Sequence, residues 1–429
     1  MNLVTRLRST MFRVMTSERT LERARRKARE DRLKSGKAPI VHYFHQVDDP
    51  YSHLTVQKLP ALKDRYDLAF EHHLVSAPAA DYRGRDASYD PWALKDAQRI
   101  AQAYGTEFSP TVEQPSSPAV AWANAELAEH LNTDGFVERA LAIGTRLWGD
   151  EAGTAADNAA DAAIAEGNAL RETLGHYLGA MFYFEGEWFW GIDRIRSLEL
   201  RLIEEGFGDG TGDLCVPQPK AETAAFDASD VLLEYFPSLR SPYTAIGHAR
   251  VLELIERTGV PVKVRPVMPM LMRGVPAPRP KQKYIAMDSG REGREFGVPM
   301  GKIVDPFGEP VKRAFALFPA AIEQDRALDF VTSYLQAAWF DGVDITGDRG
   351  LRVVVEQAGM DWDAAQTTAA QGGWESVLQE NLELMLSHDL WGVPSFRVTS
   401  ADRPDAYACW GQDRIWRVEM EIAQRAKSG

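Results

Sequence analysis

Cysteine and histidine side chains are the residues in this chain best suited to redox or metal chemistry. Cys215 and Cys409 lie far apart and no CxxC occurs, which excludes a redox dithiol, a cysteine zinc site and a disulfide framework. His72 and His73 are adjacent, but neighbours on a predicted strand point to opposite faces, which disfavours a metal pair. A looser group of metal-ligand residue types lies nearby, at His45, Asp48 and Asp49. We predict no metal site.

Two nearly identical heptapeptides place an Asp-Arg pair at the same offset, FWGIDRI at Phe189–Ile195 and CWGQDRI at Cys409–Ile415. Upstream of each lies the same succession of strand, Pro-Tyr turn and helix, in Ile40–Tyr66 and in Val231–Gly259. The Pro-Tyr pairs are 192 residues apart and the Trp-Gly pairs are 220 residues apart. We therefore predict a tandem duplication, with about 28 extra residues mostly in the middle of the second half.

Each half is predicted to run from a β-α-β unit through a helical block to two short strands and a closing helix. This order is typical of a thioredoxin-like α/β fold, in which helices cover a mixed sheet. A helical insertion separates the β-α-β unit from the last two strands. A segment rich in Gly, Pro and Asp separates the halves. The predicted parts are a basic helical arm (1–37), a first thioredoxin-like domain (38–205), a linker (206–229) and a second thioredoxin-like domain (230–427).

Composition and charge limit the class of partner. The 429 residues suit two domains, and 45% hydrophobic with 26% charged residues is typical of a soluble globular protein. The formal net charge of -13 argues against nonspecific binding to nucleic acid or to anionic membrane. Arginines at positions 6, 8 and 13 interrupt any signal-peptide apolar region, and no apolar run is long enough for a transmembrane helix. We expect a cytoplasmic protein without a membrane span.

The stretch at 16–37 is a strongly basic helix former. Its charge pattern fits a solvated helix, a docking arm for the acidic body or for a partner subunit, or a helix lying on a membrane surface. The sequence leaves these three roles open.

The second half resembles the family of 2-hydroxychromene-2-carboxylate isomerases and kappa-class glutathione transferases, a branch of the DsbA-like thioredoxin fold without the redox thiols. The resemblance covers nearly all of Val231–Ala426, and the first half resembles the same family more distantly. The matching motifs are RSPYTAIG (Arg240–Gly247), KQKYIAMD (Lys281–Asp288), AGMDWDAA (Ala358–Ala365), WGVPSF (Trp391–Phe396) and CWGQDR (Cys409–Arg414).

This resemblance implies that glutathione is the cofactor and that Ser241 contacts its sulfur. A free thiol has a pKa of roughly 8.5, and a hydroxyl donor at the positive end of a helix stabilises the thiolate. Ser241 also has the residue type of a simple helix N-cap, and the two roles are compatible.

The resemblance also implies further glutathione-binding residues. Lys281 belongs to one of the matching motifs, and Val393 and Pro394 match a cis-proline that leaves the valine backbone free to pair with the tripeptide. Gln412 and Asp413 would hold the γ-glutamyl end, with the carboxylate facing its ammonium group. The alternatives are an ordinary trans-proline loop and an aspartate that merely caps the closing helix.

Departures from the family pattern separate the two halves. Met272 replaces the family asparagine upstream of the Lys-x-x-Tyr motif, and Arg273 is a candidate to substitute for it by contacting a carboxylate of the ligand. In the first half Asp49 stands in place of Ser241 and Ala180 in place of Pro394, while Asp193 is retained. A carboxylate would raise a thiol pKa by like-charge repulsion. The first half is therefore predicted to be a pseudo-dimer partner, or else to hold a different site using Asp49, Tyr51 or His53.

The predicted function is a glutathione-dependent isomerase or transferase that acts on an aromatic or otherwise electrophilic small molecule. The alternative is a non-catalytic binding or scaffolding protein on the same fold. We expect either a monomer that acts as a pseudo-dimer or a homodimer. The sequence does not name the substrate.

Overall fold

The computed structural model describes residues 1–84, 88–109, 113–131, 133–153, 158–208, 210–221 and 226–428. The chain forms two compact units, each made of more than one segment. The N-terminal unit comprises Glu22–Pro219 and Pro278–Tyr284. The C-terminal unit comprises Met1–Leu21, Lys220–Ala277 and Ile285–Gly429. None of the helices in the described part of the chain is long and apolar enough to cross a bilayer.

The basic arm folds into two helices, α1 (Leu3–Thr16) and α2 (Glu18–Ser35). Helix α1 packs within the C-terminal unit, where the Ser9 hydroxyl accepts a 3.0 Å hydrogen bond from the Asp305 amide. Helix α2 buries no residue, and its arginines Arg25, Arg29 and Arg32 form ion pairs with glutamates. Arg25 donates to Glu187 of the N-terminal unit at 2.6 Å. Of the three roles open to the basic stretch, the docking of an arm onto acidic residues describes α2 best.

The N-terminal unit contains a four-stranded sheet in the order β2-β1-β3-β4. Its strands are β1 (Ile40–His45), β2 (Ala69–Leu74), β3 (Met181–Phe184) and β4 (Glu187–Trp190). Strand β1 is parallel to β2 and antiparallel to β3, and β3 and β4 form a hairpin. The helices are α3 (Pro50–Val56), α4 (Leu59–Arg65), α5 (Tyr89–Ile100), α6 (Ser117–Ala128), α7 (Phe136–Trp148), α8 (Asp161–Thr173) and α9 (Ile195–Glu204).

The C-terminal unit contains a second four-stranded sheet, in the order β7-β6-β8-β9, and a short separate pair of β5 and β10. Its strands are β5 (Phe226–Asp227), β6 (Val231–Phe236), β7 (Val262–Val264), β8 (Ser395–Ser400), β9 (Arg403–Trp410) and β10 (Lys427–Ser428). Strand β6 is parallel to β7 and antiparallel to β8. The predicted α/β class with mixed sheets is confirmed in both units.

Nine helices of the described chain follow β6. They are α10 (Pro242–Thr258), α11 (Arg279–Glu295), α12 (Glu309–Ala316), α13 (Phe318–Glu323), α14 (Ala327–Gln336), α15 (Asp348–Gln357), α16 (Trp362–Ala370), α17 (Trp374–Leu386) and α18 (Ile415–Arg425). Helices α11 to α17 form the insertion between β7 and β8, and residues of α12 to α17 share one core with Ala245 of α10 and Val264 of β7. A second core lies where α10 and α18 pack on the sheet, around Leu233, Leu254 and Ile422.

The central strand β6 carries one buried charge, that of Glu234. Arg265 donates to this carboxylate at 2.5 Å, and Arg397 on the neighbouring strand β8 donates to its other oxygen. A buried carboxylate is tolerated when it is paired and hydrogen bonded in this way. The two arginines therefore allow a charged side chain to be buried on β6, one of the two inner strands of the sheet.

Candidate functional site

Ser241 lies at the start of α10, directly after the loop that leaves the central strand. Its backbone is extended, and its side-chain oxygen accepts a 3.1 Å hydrogen bond from the Thr244 amide. Pro242 follows at the first helical position, where the missing amide proton costs nothing. The capping role of Ser241 is therefore observed, and its role toward a thiol stays a prediction.

The same hydroxyl reaches the loop that precedes β8. Ser241 is buried, with 8% of its surface exposed, and its Oγ donates a long 3.4 Å hydrogen bond to the Val393 carbonyl. The Val393-Pro394 peptide is cis, as the family resemblance implies, and not trans. The Pro394 carbonyl accepts a 2.9 Å bond from the Gly411 amide. Three of the motifs singled out in the sequence are thus brought together at one end of the sheet.

Gln412 opens the 3-10 turn Gln412–Arg414 that precedes α18. Its side chain is buried, and its amide nitrogen donates to Glu292 at 3.0 Å and to Asp413 at 2.6 Å. Arg250 of α10 donates to its amide oxygen. Both ends of the amide are therefore engaged within the protein, a network that sequence reasoning did not anticipate.

Gly247 explains how α10 can approach this turn so closely. A Cβ atom at position 247 would lie 2.9 Å from the Cβ of Gln412, a separation that side chains essentially never adopt. The absence of a side chain at Gly247 therefore allows the helix and the turn to meet. This contact fixes Gln412 and, next to it, the half-buried carboxylate of Asp413.

Tyr243, two residues after Ser241, makes a contact that was not assigned from the sequence. Its hydroxyl donates a 2.7 Å hydrogen bond to the buried carboxylate of Asp288 on α11. The second carboxylate oxygen of Asp288 accepts a 2.5 Å bond from Arg291. Both residues lie in motifs quoted from the sequence, Tyr243 in RSPYTAIG and Asp288 in KQKYIAMD, so these motifs could have indicated the pair.

Arg273 supports the cis-proline loop. Its Nε donates to the Met268 carbonyl at 2.8 Å, and its Nη2 donates to the Trp391 carbonyl at 2.9 Å. Trp391 is two residues before Val393, so Arg273 positions this loop through its backbone. Met272, in place of the family asparagine, is half-buried against the core of the helical insertion. The suggestion that Arg273 binds a ligand carboxylate stays untested.

Lys281 is grouped with the N-terminal unit rather than with Ser241, because it lies in the segment Pro278–Tyr284. Its ammonium donates a 3.1 Å hydrogen bond to the Tyr82 carbonyl. Burial lowers the pKa of Lys281 to about 8, so its ammonium loses its proton at a lower pH than an ordinary lysine does. Its role as a glutathione ligand remains a prediction.

The residues of the N-terminal unit that the sequence pairs with Ser241 and Pro394, Asp49 and Ala180, have different chemistry. Asp49 caps α3 and accepts hydrogen bonds from the Ser52 amide at 3.0 Å and the Ser52 hydroxyl at 2.9 Å. Burial raises the pKa of Asp49 to about 7. The Ala180 carbonyl accepts a 2.7 Å bond from the Gly191 amide, as the Pro394 carbonyl does from Gly411. The carbonyls of Ala180 and Pro394 thus accept similar bonds, and the equivalence of the two positions stays a prediction.

The histidines of the N-terminal unit occupy separate places. His72 stacks on Phe136, with ring centroids 4.3 Å apart, while His73 stacks on Phe44, so the adjacent imidazoles do face opposite sides of β2. His45 hydrogen bonds with the Tyr43 hydroxyl at 3.0 Å. His45 and His53 also line a small cavity in this unit.

The C-terminal half of the chain is similar to proteins that are already known. Residues 232–423 match the family model of the DSBA-like thioredoxin domain. The 2-hydroxychromene-2-carboxylate isomerase of Sphingobium xenophagum is 25% identical over 202 residues, which are 44% of this chain and 97% of the relative.

Two solved structures are also similar to part of this chain. A 2-hydroxychromene-2-carboxylate isomerase is 19% identical, with 45% of this chain and 95% of that chain covered and a TM-score of 0.36. The cytosolic disulfide reductase DsbM of Pseudomonas aeruginosa is 17% identical, with 45% and 98% covered and a TM-score of 0.36. Residues 232–423 of this chain are thus similar to the DSBA-like thioredoxin domain, and the same half of the chain is distantly similar to 2-hydroxychromene-2-carboxylate isomerase.

Proposed function

We propose that the C-terminal half binds glutathione and uses it in an isomerisation or transfer reaction on an aromatic or otherwise electrophilic small molecule. The observation that carries this proposal is the Ser241 hydroxyl at the N-terminus of α10, facing the carbonyl that precedes the cis-proline. The homology to an isomerase that acts on a chromene carboxylate supports the substrate class. Of the two free cysteines, Cys215 is in the N-terminal unit and Cys409 is buried, so the proposed reaction takes its thiol from glutathione.

The residues at this end of the sheet fit a thiol peptide. The donor bond from Ser241 to Val393 is 3.4 Å long, so the hydroxyl exchanges it for a sulfur acceptor at little cost. The N-terminus of the 17-residue helix α10 adds positive potential there. When bound, glutathione supplies a thiol that adds reversibly to an unsaturated carbonyl compound. Ser241 would lower the pKa of that thiol, and Asp413 would face the γ-glutamyl ammonium.

Titration calorimetry with reduced glutathione tests this assignment in wild type, Asp413→Asn and Ser241→Ala. We expect Asp413→Asn to weaken binding about tenfold or more, because a hydrogen-bonded charge pair contributes roughly 1.5–3 kcal/mol. Ser241→Ala should retain much of the affinity and raise the thiol pKa, read from thiolate absorbance. Asp193→Asn, at the equivalent turn of the N-terminal unit, and Ser116→Ala, at another helix N-cap, are the matched controls.

A non-catalytic binding protein is the second candidate, and one observation favours it. The Gln412 amide is already satisfied by Arg250 and Glu292, so it would have to exchange partners before it could hold a ligand. Absence of glutathione binding to wild type at millimolar concentration would refute the enzyme proposal in favour of this one. Binding that is equal in wild type and in Asp413→Asn would reject the assigned site.

We further propose that the two halves are copies of one domain and that the first copy has lost the glutathione chemistry. The matching strand orders and the matching bonds of Ala180 and Pro394 support the duplication. Asp49, in place of Ser241, would oppose a thiolate. A duplicated chain could replace both subunits of a dimeric relative in the cytoplasm. Sedimentation equilibrium tests this: a monomer supports the pseudo-dimer, whereas a tight homodimer contradicts it.

A further inference from the structure

Three metal-ligand side chains converge on one face of the N-terminal sheet. In the parallel register of β1 and β2, His42 is paired with Glu71 and Phe44 is paired with His73. Glu71 and His73 are two residues apart, so they lie on the same face of β2. His42 Nδ1 is 3.0 Å from His73 Nε2 and 3.4 Å from Glu71 Oε2. One ligand atom from each of the three residues lies within 4.8 Å of the others.

These separations match the coordination sphere of a small divalent cation. Zinc is bound by imidazole nitrogen at about 2.0–2.1 Å and by carboxylate oxygen at about 2.0–2.2 Å. Two such ligands at a tetrahedral angle lie roughly 3.4 Å apart. The observed spacing of His42 to its two neighbours is therefore already close to that required around one ion.

The surroundings hold the imidazoles in place and leave the site open. His73 stacks on Phe44, with ring centroids 4.9 Å apart, and the ring of His42 lies 6.1 Å from that of Tyr183. The His42 side chain is 22% exposed and that of Glu71 is 50% exposed. An ion can reach the cluster from solvent, and water can occupy the remaining coordination position.

We propose that His42, Glu71 and His73 bind one divalent transition-metal ion, Zn²⁺ in the first place, with water completing the coordination. Two imidazoles and one carboxylate suit Zn²⁺, Co²⁺ and Cu²⁺, whereas Mg²⁺ and Ca²⁺ prefer oxygen ligands alone. Without the ion, the two rings share a hydrogen bond, one as donor and the other as acceptor. When the ion binds, the ring that donated this hydrogen bond carries its proton on the other ring nitrogen, so both rings coordinate as neutral imidazoles and the ion ties β1 to β2.

The test uses the full chain without an affinity tag, stripped with a chelator and titrated with Zn²⁺ by calorimetry. We expect one ion per chain, with affinity reduced at least about tenfold in His42→Ala and in His73→Ala, as loss of a first ligand should exceed the roughly 10–100-fold effect of an outer one. Cu²⁺ paramagnetic resonance should report two nitrogen ligands in wild type and one in each variant.

Controls separate this cluster from other sites in the chain. His130→Ala and Cys215→Ser, both in the N-terminal unit, should leave the stoichiometry and affinity unchanged. Glu71→Gln removes the carboxylate with little change of shape at an exposed position, so it serves if a histidine variant fails to fold. Absence of stoichiometric Zn²⁺ binding to wild type, or equal affinity in the folded variants, would overturn the proposal.

Discussion

The hydroxyl of Tyr243 donates a hydrogen bond to the carboxylate of Asp288, which lies 45 residues further along the chain. The N-terminal unit contains the same pairing, because the hydroxyl of Tyr51 donates to Asp96 at 2.5 Å, again across 45 residues. Each pair ties the first helix after the central strand to the helix after the second strand. The segments from each Pro-Tyr turn to its aspartate are therefore equal in length, which supports the proposed duplication.

Removal of this hydroxyl should destabilise the C-terminal unit. Tyr243→Phe leaves a buried carboxylate with one donor fewer, for a cost of about 1–3 kcal/mol in the free energy of unfolding. Urea denaturation measures the change, and a double-mutant cycle with Asp288→Asn isolates the coupling of the two side chains. Asp288 keeps its bond from Arg291 in the single variant, so the fold is expected to survive. A coupling energy near zero would show that the bond is not formed in solution.

Gly247→Ala should separate α10 from the turn that carries Gln412. The added methyl would meet the Gln412 side chain at 2.9 Å, so the helix or the turn must shift, at about 1–3 kcal/mol. We expect a lower thermal midpoint despite the better helix propensity of alanine. Gly347→Ala is the matched control, because nothing lies within 4 Å of a Cβ built there. Equal midpoints for the two variants would contradict the close packing.

The buried Asp49 makes the stability of the N-terminal unit fall as the pH rises. Burial raises its pKa to about 7 in the folded protein, against roughly 3.9 in an unfolded chain. Between these pH values the folded protein keeps a proton that the unfolded chain has released. The contribution of Asp49 to stability is therefore fully present below pH 4 and is lost as the pH rises toward 7.

Asp49→Asn should therefore gain stability at pH 8, by up to about 4 kcal/mol at roughly 1.36 kcal/mol per pKa unit, and gain little at pH 4. Denaturant midpoints at both values measure this difference. Asp361→Asn changes an exposed capping aspartate of α16 and is the matched control. The same effect at both pH values would contradict protonation of Asp49.

His248 produces the opposite dependence in the C-terminal unit. Its ring lies between the hydroxyls of Tyr235, at 3.2 Å, and Thr332, at 2.8 Å, and burial lowers its pKa to about 4. Between pH 6.5 and pH 4 the unfolded chain takes up a proton that the folded protein does not, so stability falls as the pH falls. His248→Gln should lower the number of protons taken up on unfolding by about one in this pH range, which is measured as a smaller slope of the unfolding free energy against pH. An unchanged slope would contradict it, with His130→Gln as the control.

Local signals were sufficient to predict how the chain reaches Ser241. A serine before proline marks an N-cap and a first helical residue without any knowledge of the fold, and α10 begins where these residues indicate. The sequence predicts a strand over Val262–Val267, and the strand in the structure is shorter, at Val262–Val264. Pro266 has no amide proton for the sheet ladder, which accounts for this early end.

Contacts between distant segments were beyond the reach of the sequence. The amide of Gln412 bonds to Arg250 and Glu292, 162 and 120 residues away. His73 was considered with its neighbour, whereas its partner His42 lies 31 residues earlier on another strand. Such pairs depend on sheet register and helix packing, which a single sequence does not encode in any local pattern.

The discontinuity of the two units has a consequence for how the protein can be dissected. A fragment that begins at the linker would carry the whole matched stretch 232–423 and still lack α1, whose Ser9 accepts a bond from the backbone of Asp305. It would also carry Pro278–Tyr284 away from the unit in which Lys281 meets Tyr82. Truncation or proteolysis between the two halves would therefore remove contacts from both units, so the chain has to be produced and engineered as a whole.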